Sequence, residues 1–125
     1  MNRRGRRDRG SVDVSIEMLF GMVGVLFALL ALFEAGAYWH TRTILDDAAS
    51  DGVRVAAAYD GTCNGGVEVA RAAVARQAGS WADAVDITCV DGPTVTVVVA
   101  ARTPGVLGAS IGLRAAASVS APKER

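Results

Sequence analysis

The feature that most constrains this chain is an uncharged apolar stretch near its N-terminus. It runs from Met18 to Phe33 and contains no strongly hydrogen-bonding side chain. A helix needs about 20 apolar residues to cross a bilayer at 1.5 Å rise per residue. Extended to Trp39, with Glu34 reaching the headgroup layer, the helix is roughly 33 Å long and spans with little tilt. We therefore predict a transmembrane helix; the alternative is a buried core helix of a soluble protein.

The residues on either side of this stretch predict its orientation. Five arginines precede the stretch, and Asp8 is the one acidic residue that lies among them: Arg3, Arg4, Arg6, Arg7 and Arg9. An aromatic cluster suited to the membrane–water interface, Tyr38-Trp39-His40, follows it. Because basic residues stay on the cytoplasmic side, we predict a single-pass cell-membrane protein with its N-terminus in the cytoplasm and its C-terminus outside. A nucleic-acid-binding arm is the alternative for the arginines, but topology accounts for them, so we expect no nucleic-acid partner.

This pattern divides the chain into four regions. We predict a basic cytoplasmic leader over 1–10, a transmembrane helix over 11–39, an extracytoplasmic head over 40–122 and a tail over 123–125. Alanine, valine and glycine supply most of the apolar content of the head, so its core consists of small side chains. Small domains of this kind often need a covalent or metal staple.

Two cysteines can provide that staple. Cys63 and Cys89 both fall in the predicted extracytoplasmic region, where a cysteine pair most simply forms a disulfide. The closed loop would contribute about 3 kcal/mol on the chain-entropy model. Metal binding is the alternative, but the two cysteines and the distant His40 do not have the spacing of a metal-binding motif. We expect no metal.

The helical pattern continues beyond the membrane stretch. We predict one helix of about 45 residues, with Ser11 as its N-cap and Asp60-Gly61 at its end. Its apolar stripe in the head follows spacings of three and four: Tyr38, Thr41, Leu45, Ala48, Gly52, Val55 and Tyr59. A second helix is expected after a loop over 62–66, with Gly79-Ser80 at its end and this stripe: Val67, Ala70, Val74, Ala78 and Trp81. Trp81 is predicted to cap the core, the alternative being an aromatic ligand shelf.

The period then changes from helix to strand. Apolar and polar residues alternate over 85–89, and Asp91-Gly92-Pro93 predicts a turn. The strongest strand pattern, over 94–101, is expected to be central. A third strand is predicted over 113–121, stopped by Pro122. Two helices and three antiparallel strands predict an α+β fold in which the long helix packs on the sheet.

A small apolar patch lies between the second and third predicted strands. It consists of Val106, Leu107 and Ile111. Clustered apolar groups outside regular structure favour a contact with another subunit or partner. The alternative is that this segment closes the core of the head itself.

No catalytic or cofactor-binding pattern is found in the sequence. The serines have no base placed by a recognisable motif, and Asn64-Gly65-Gly66 is not followed by the residues of a phosphate loop. Three aspartates, Asp46, Asp47 and Asp51, are compatible with calcium, but their helical setting favours a solvated face. We predict a protein that is not an enzyme and needs no cofactor.

The N-terminal region resembles a known family. A basic leader ending in Arg9-Gly10, followed by Ser11-Val12 and a glutamate that opens a long hydrophobic helix, is similar to TadE-like pilin-related proteins of tight-adherence (type IVc) pilus systems. The resemblance implies that a prepilin peptidase removes the leader between Gly10 and Ser11. It also implies that Glu17 pairs with an α-amino group during subunit assembly.

The spacing of the glutamate departs from the family pattern. Pilin-like proteins usually place it fifth after the cut, whereas Glu17 is seventh counted from Ser11, and the fifth residue is Ser15. Asp13, the third residue, is the alternative acidic partner. A third interpretation is that Glu17 marks the membrane edge and has no role in assembly.

Two functions are compatible with these features. The first is a pilin-like membrane subunit that joins other pilin-like subunits and the assembly machinery of a tight-adherence pilus or a related secretion apparatus. The second is an uncleaved, signal-anchored envelope protein whose outer domain binds a protein partner. Both require membrane lipid as a partner of the apolar helix.

Overall fold

The chain folds into two helices followed by a three-stranded sheet. The computed structural model describes residues 3–79, 83–105 and 113–125. Its elements are α1 (Arg3–Ala57), α2 (Cys63–Ala78), β1 (Asp83–Val90), β2 (Thr94–Arg102) and β3 (Arg114–Pro122). The predicted α+β fold is confirmed. Trp81 and the apolar patch of Val106, Leu107 and Ile111 lie outside the described residues.

Helix α1 is longer at its N-terminus than the sequence predicted. It contains 55 residues and begins at Arg3, so Ser11 lies inside the helix and the prediction of an N-cap there was wrong. No proline interrupts residues 3–11, and arginine is a good helix former, so there is no break for Ser11 to cap. The chain divides into two compact units, residues 1–33 and residues 34–125, and α1 contributes to both.

The C-terminal end of α1 comes slightly before the predicted one. The last helical residue is Ala57, and the Gly61 amide then donates to the Ala58 carbonyl at 2.9 Å. This turn folds back onto the last turn of the helix so closely that a Cβ at Gly61 would collide with the carbonyl oxygen of Val55. Glycine is therefore required at the turn, although the helix has already ended.

The three strands form one antiparallel sheet in the order β1-β2-β3. The prediction that the strand beginning at Thr94 is central is confirmed. Its inward side chains alternate with partly exposed ones and are fully buried: Val95, Val97, Val99 and Ala101. Arg102 pairs with Arg114 at one end of the β2–β3 ladder, and Thr94 pairs with Pro122 at the other.

One cluster of small side chains forms the core of residues 34–125. Both helices and the sheet contribute to it, and its largest fully buried side chains are Leu45 and the three β2 valines. The predicted stripe of α1 was right from Thr41 to Gly52 but wrong beyond that point. Val55 and Tyr59 are exposed, whereas Val53, Ala56 and Ala57 are buried. The buried face is wider than one stripe because α1 packs against both α2 and the sheet.

The start of α2 corrects the predicted loop over 62–66. Thr62 is the N-cap, and its side chain accepts a hydrogen bond from the Gly65 amide at 3.1 Å, so the helix already includes Cys63. Glycine is required at Gly66 by a contact between the two helices. A Cβ on Gly66 would lie 2.7 Å from the Gly52 carbonyl oxygen, and a Cβ on Gly52 would lie 2.8 Å from the Gly66 oxygen. The pair lets the backbones of α1 and α2 touch.

Candidate functional site

The side chains of the apolar stretch of α1 are exposed, except for the half-buried Leu30. No residue of its most apolar window is buried, and large side chains such as Met18, Phe20 and Leu32 are at least 70% exposed. Among the residues that the structure describes, one helix is long and apolar enough to cross a membrane. Exposed apolar surface of this extent is typical of contact with lipid or with other apolar helices. It suggests single-pass membrane anchoring.

Two acidic side chains precede this apolar surface. Asp13 and Glu17 are four residues apart on α1, which places them on the same helix face, and both are exposed. Glu17 is followed directly by Met18, so its carboxylate stands at the start of the apolar surface. Gly10 and Ser11, the residues predicted to flank the processed bond, lie within α1.

A third acidic residue, Glu34, follows the apolar stretch and contacts the sheet end of the head. A Cβ built on Gly105, three residues after β2, would lie 2.5 Å from Glu34 Oε2 and 2.8 Å from Oε1. Gly105 also has φ +119°, a conformation that residues with a Cβ rarely adopt. A side chain at position 105 would have to adopt this backbone conformation and displace the end of the flexible Glu34 side chain. Sequence analysis placed Glu34 in the headgroup layer and did not identify this contact; Pro104-Gly105 directly after a strand was the available signal.

The predicted interface patch lies in sequence between Thr103 and Leu113, and these two residues are hydrogen bonded to one another. The Thr103 amide and its Oγ1 both donate to the Leu113 carbonyl, each at 3.0 Å. Thr103 is buried, and Leu113 is exposed. The two ends of the segment are therefore fixed next to one another, near Gly105 and Glu34.

A disulfide joins the first residue of α2 to β1. The Cys63 and Cys89 sulfurs are bonded, with Cα atoms 5.6 Å apart and 26 positions apart in sequence. The bond ties α2 to an edge strand of the sheet. It lies near the end of the head that contains the β1–β2 turn.

The C-terminal residues form hydrogen bonds at the same end of the head as the disulfide. Lys123 Nζ donates to the Ala56 carbonyl at 2.8 Å and to the Gly61 carbonyl at 2.7 Å, and the Glu124 amide donates to the Ala57 carbonyl. The last carbonyls of a helix have no partner within it, and a lysine can satisfy them. Sequence analysis assigned residues 123–125 to a tail, because nothing local links Lys123 to a helix that ended more than sixty positions earlier.

No metal-binding group is found in the part of the chain that the structure describes. Within residues 3–79, 83–105 and 113–125, no three His, Cys, Asp or Glu side chains are placed to hold an ion. Asp46 and Asp47 are exposed on α1.

The comparisons with known proteins identify this helix. The family model described as TadE-like protein matches residues 14–54. This stretch is TadE-like. It contains Glu17, the whole apolar run and the first part of the head, and it leaves out Gly10, Ser11, both cysteines and the sheet. The resemblance predicted from the sequence is confirmed over this stretch.

The match covers about a third of the chain. No curated protein and no solved structure matches the chain.

Proposed function

We propose that the chain is a single-pass, non-enzymatic membrane subunit that assembles with other pilin-like subunits into a tight-adherence pilus or a related secretion apparatus. The observation that carries the proposal is the TadE-like match over residues 14–54, which covers the apolar helix and its junction with the head. The exposed apolar side chains of that helix support it. Such a surface can exchange lipid for neighbouring helices at little cost, because lipid tails are as apolar as leucine.

The proposed orientation places the arginine-rich leader (1–10) in the cytoplasm and the head (40–122) outside. Arginines precede the apolar helix, and the exposed Trp39 follows it. The arginine bias favours a cytoplasmic N-terminus, and a tryptophan suits the opposite interface. The Cys63–Cys89 disulfide is consistent with an oxidising compartment outside the cytoplasm.

In this proposal Glu17 is the assembly carboxylate, with Asp13 as its alternative, and a prepilin peptidase cuts between Gly10 and Ser11. A carboxylate at the hydrocarbon boundary costs up to about 2–3 kcal/mol unless it is paired or reaches water. An α-amino group released by the cut could pair with it in an assembled helix bundle. Val106, Leu107 and Ile111 are proposed to contribute to the contacts between heads.

The experiment that tests this function compares two cell fractions. Surface filaments are sheared from cells that express the chain, and the chain is quantified in the sheared and membrane fractions by immunoblot. We expect it in both, with the sheared species beginning at Ser11 by N-terminal sequencing. A chain confined to the membrane, in cells that still make filaments without it, would contradict the proposal.

An uncleaved envelope anchor is the second candidate, and one observation favours it. Gly10 and Ser11 lie inside α1, whereas proteases cut most readily in exposed, irregular segments. In that case the mature protein would begin at Met1, and its head would bind a protein partner without entering filaments.

A further inference from the structure

The sequence contains four aspartate or asparagine residues that are followed directly by glycine. The pairs are Asp51-Gly52, Asp60-Gly61, Asn64-Gly65 and Asp91-Gly92. Such pairs are chemically reactive because glycine has no Cβ, so its amide nitrogen reaches the side-chain carbonyl carbon of the preceding residue with little steric hindrance. A neutral amide is a better electrophile than a carboxylate, so Asn–Gly reacts faster than Asp–Gly in an unfolded chain. The sequence alone therefore ranks Asn64 as the most reactive of the four.

In three of the four pairs, the glycine amide is held away from the side chain that precedes it. The Gly65 amide lies in the first turn of α2 and donates to Thr62 Oγ1 at 3.1 Å. The Gly61 amide donates to the Ala58 carbonyl at 2.9 Å. Gly52 is buried within α1, and its amide takes part in the hydrogen bonding of the helix. Attack by these nitrogens requires the bonds to break and the backbone to leave its folded conformation, so the fold protects all three pairs.

The fourth pair lies in the turn between β1 and β2 and has a different geometry. The Gly92 amide donates to Oδ1 of Asp91 itself, at 2.9 Å. Asp91 is exposed, and neither residue belongs to a strand. Because Oδ1 is bonded to Cγ, this hydrogen bond holds the carboxyl carbon beside the nitrogen that would attack it. Reacting atoms that are already close together have less conformational freedom to lose on the way to the transition state.

We propose that Asp91-Gly92 is a covalent modification site, at which the folded head converts Asp91 to isoaspartate while Asn64 is preserved. In the first step, the Gly92 nitrogen forms a bond to Cγ of the protonated Asp91 carboxyl group. The carboxyl hydroxyl leaves and takes the amide proton with it as water, which gives a succinimide. In the second step, a solvent water adds to the backbone carbonyl carbon of the ring and the bond from that carbon to nitrogen breaks. The main chain then runs through Cγ, and no oxidant or reductant is consumed.

The product has one additional methylene group in the main chain of the turn. The next residue, Pro93, accepts a hydrogen bond from the Lys123 amide at 2.9 Å, and Lys123 Nζ donates to the Ala56 and Gly61 carbonyls. The modification therefore falls beside the contact that joins the C-terminal residues to the end of α1. The reaction needs neither a membrane nor a filament, so it applies to both candidate functions.

Ageing of the folded full-length protein in detergent tests the proposal. The protein is incubated at neutral pH, and its peptides are followed over time by mass spectrometry with electron-transfer fragmentation, which distinguishes isoaspartate from aspartate. Asp60 is the matched control, because it is also exposed and followed by glycine but differs in the acceptor of the glycine amide. We expect isoaspartate to accumulate several-fold faster at Asp91 than at Asp60, with Asn64 intact. Equal rates at Asp91 and Asp60, or conversion of Asn64 before Asp91, would overturn the proposal.

A second experiment tests whether the fold sets this order. In reduced and denatured protein we expect the order to reverse, with Asn64 converted before Asp91. Thr62→Val removes the oxygen that holds the Gly65 amide and should accelerate conversion of Asn64 in the folded protein, whereas Thr62→Ser keeps the hydroxyl and should behave as wild type. Conversion of Asn64 that is no faster in denatured protein or in Thr62→Val would contradict the proposal. If Thr62→Val does not fold, the comparison of folded with denatured wild type decides the question.

Discussion

Lys123 caps the end of α1 by donating from Nζ to the Gly61 carbonyl at 2.7 Å and to the Ala56 carbonyl at 2.8 Å. The two acceptors belong to the last turn of the helix and to the turn that follows it. One ammonium group therefore fixes the path of the chain between α1 and α2 from a position at the far C-terminus. The final residues thus belong to the fold of the head.

Replacing this lysine should destabilise the head. Lys123→Met keeps most of the aliphatic side chain but removes both hydrogen bonds, and hydrogen bonds from charged groups contribute about 1.5–3 kcal/mol. We expect the free energy of unfolding to fall by about that amount, measured by denaturant unfolding of the full-length protein in detergent. Arg125→Met is the control, because Arg125 is exposed. Equal stability of the two variants would show that the cap contributes nothing.

A side chain at Gly105 should destabilise the head, mainly through its backbone conformation and in part by displacing the Glu34 carboxylate. Gly105→Ala combines a φ of +119° with a Cβ placed 2.5 Å from the Glu34 carboxylate, and we expect a loss of about 1–3 kcal/mol. Gly79→Ala is the control for the backbone term, since Gly79 has φ +54° and no atom within 4 Å of a built Cβ.

A double-mutant cycle separates the clash from the backbone strain at Gly105. In a Glu34→Ala background the carboxylate is gone, so Gly105→Ala should cost only the strain of its backbone conformation. The difference between the two backgrounds, measured by denaturant unfolding, is the coupling free energy. Additive effects of the two substitutions would contradict the contact.

The strands could be predicted from sequence because their signals are local. Apolar and polar residues alternate along residues 94–101, and turn residues flank them, so β2 and its central place followed from the period alone. The start of α2 could not be predicted in this way. Gly65-Gly66 has the composition of a loop, but Gly66 is required where it touches Gly52 on α1, and sequence spacing carries no information about that contact.

Some features of the candidate site could likewise be predicted from the sequence, and others could not. The apolar helix and its acidic residues are visible in the sequence because they are contiguous. The Glu34–Gly105 and Lys123–Gly61 contacts join residues more than sixty positions apart, so only the folded chain brings them together.

The disulfide makes a prediction about redox state and stability. Protein isolated without reductant should be lighter than the dithiol by two hydrogens in non-reducing mass spectrometry. Cys89→Ala should lower the free energy of unfolding by about 2–4 kcal/mol, because it releases a long loop in the unfolded chain. The Cys63→Ala, Cys89→Ala double variant should be no less stable than the single one. Free thiols at both positions in untreated protein would refute the pairing.

The orientation in the membrane predicts which reporters become active. A reporter that works only after export, fused after Arg125, should be active, and one that works only in the cytoplasm should be silent. Replacing the leader arginines over 3–9 with glutamine should reduce the activity of the exported fusion, because the positive charge holds the N-terminus inside. A cytoplasmic reporter that is active after Arg125 would reverse the topology.

The central claim is the proposal that this chain, which is TadE-like over residues 14–54, enters a filament through its apolar helix. Glu17→Gln tests it most directly. The measurement is the amount of the chain in sheared filaments relative to the membrane fraction, for Glu17→Gln, for Asp13→Asn and for wild type. Glutamine keeps the shape of the side chain and removes the charge that would pair with an α-amino group. Loss of an ion pair that contributes about 1.4 kcal/mol or more reduces incorporation at least about tenfold. We predict that Glu17→Gln reaches the membrane at the wild-type level but is depleted from filaments, whereas Asp13→Asn is incorporated normally. Incorporation of Glu17→Gln at the wild-type level would contradict this account.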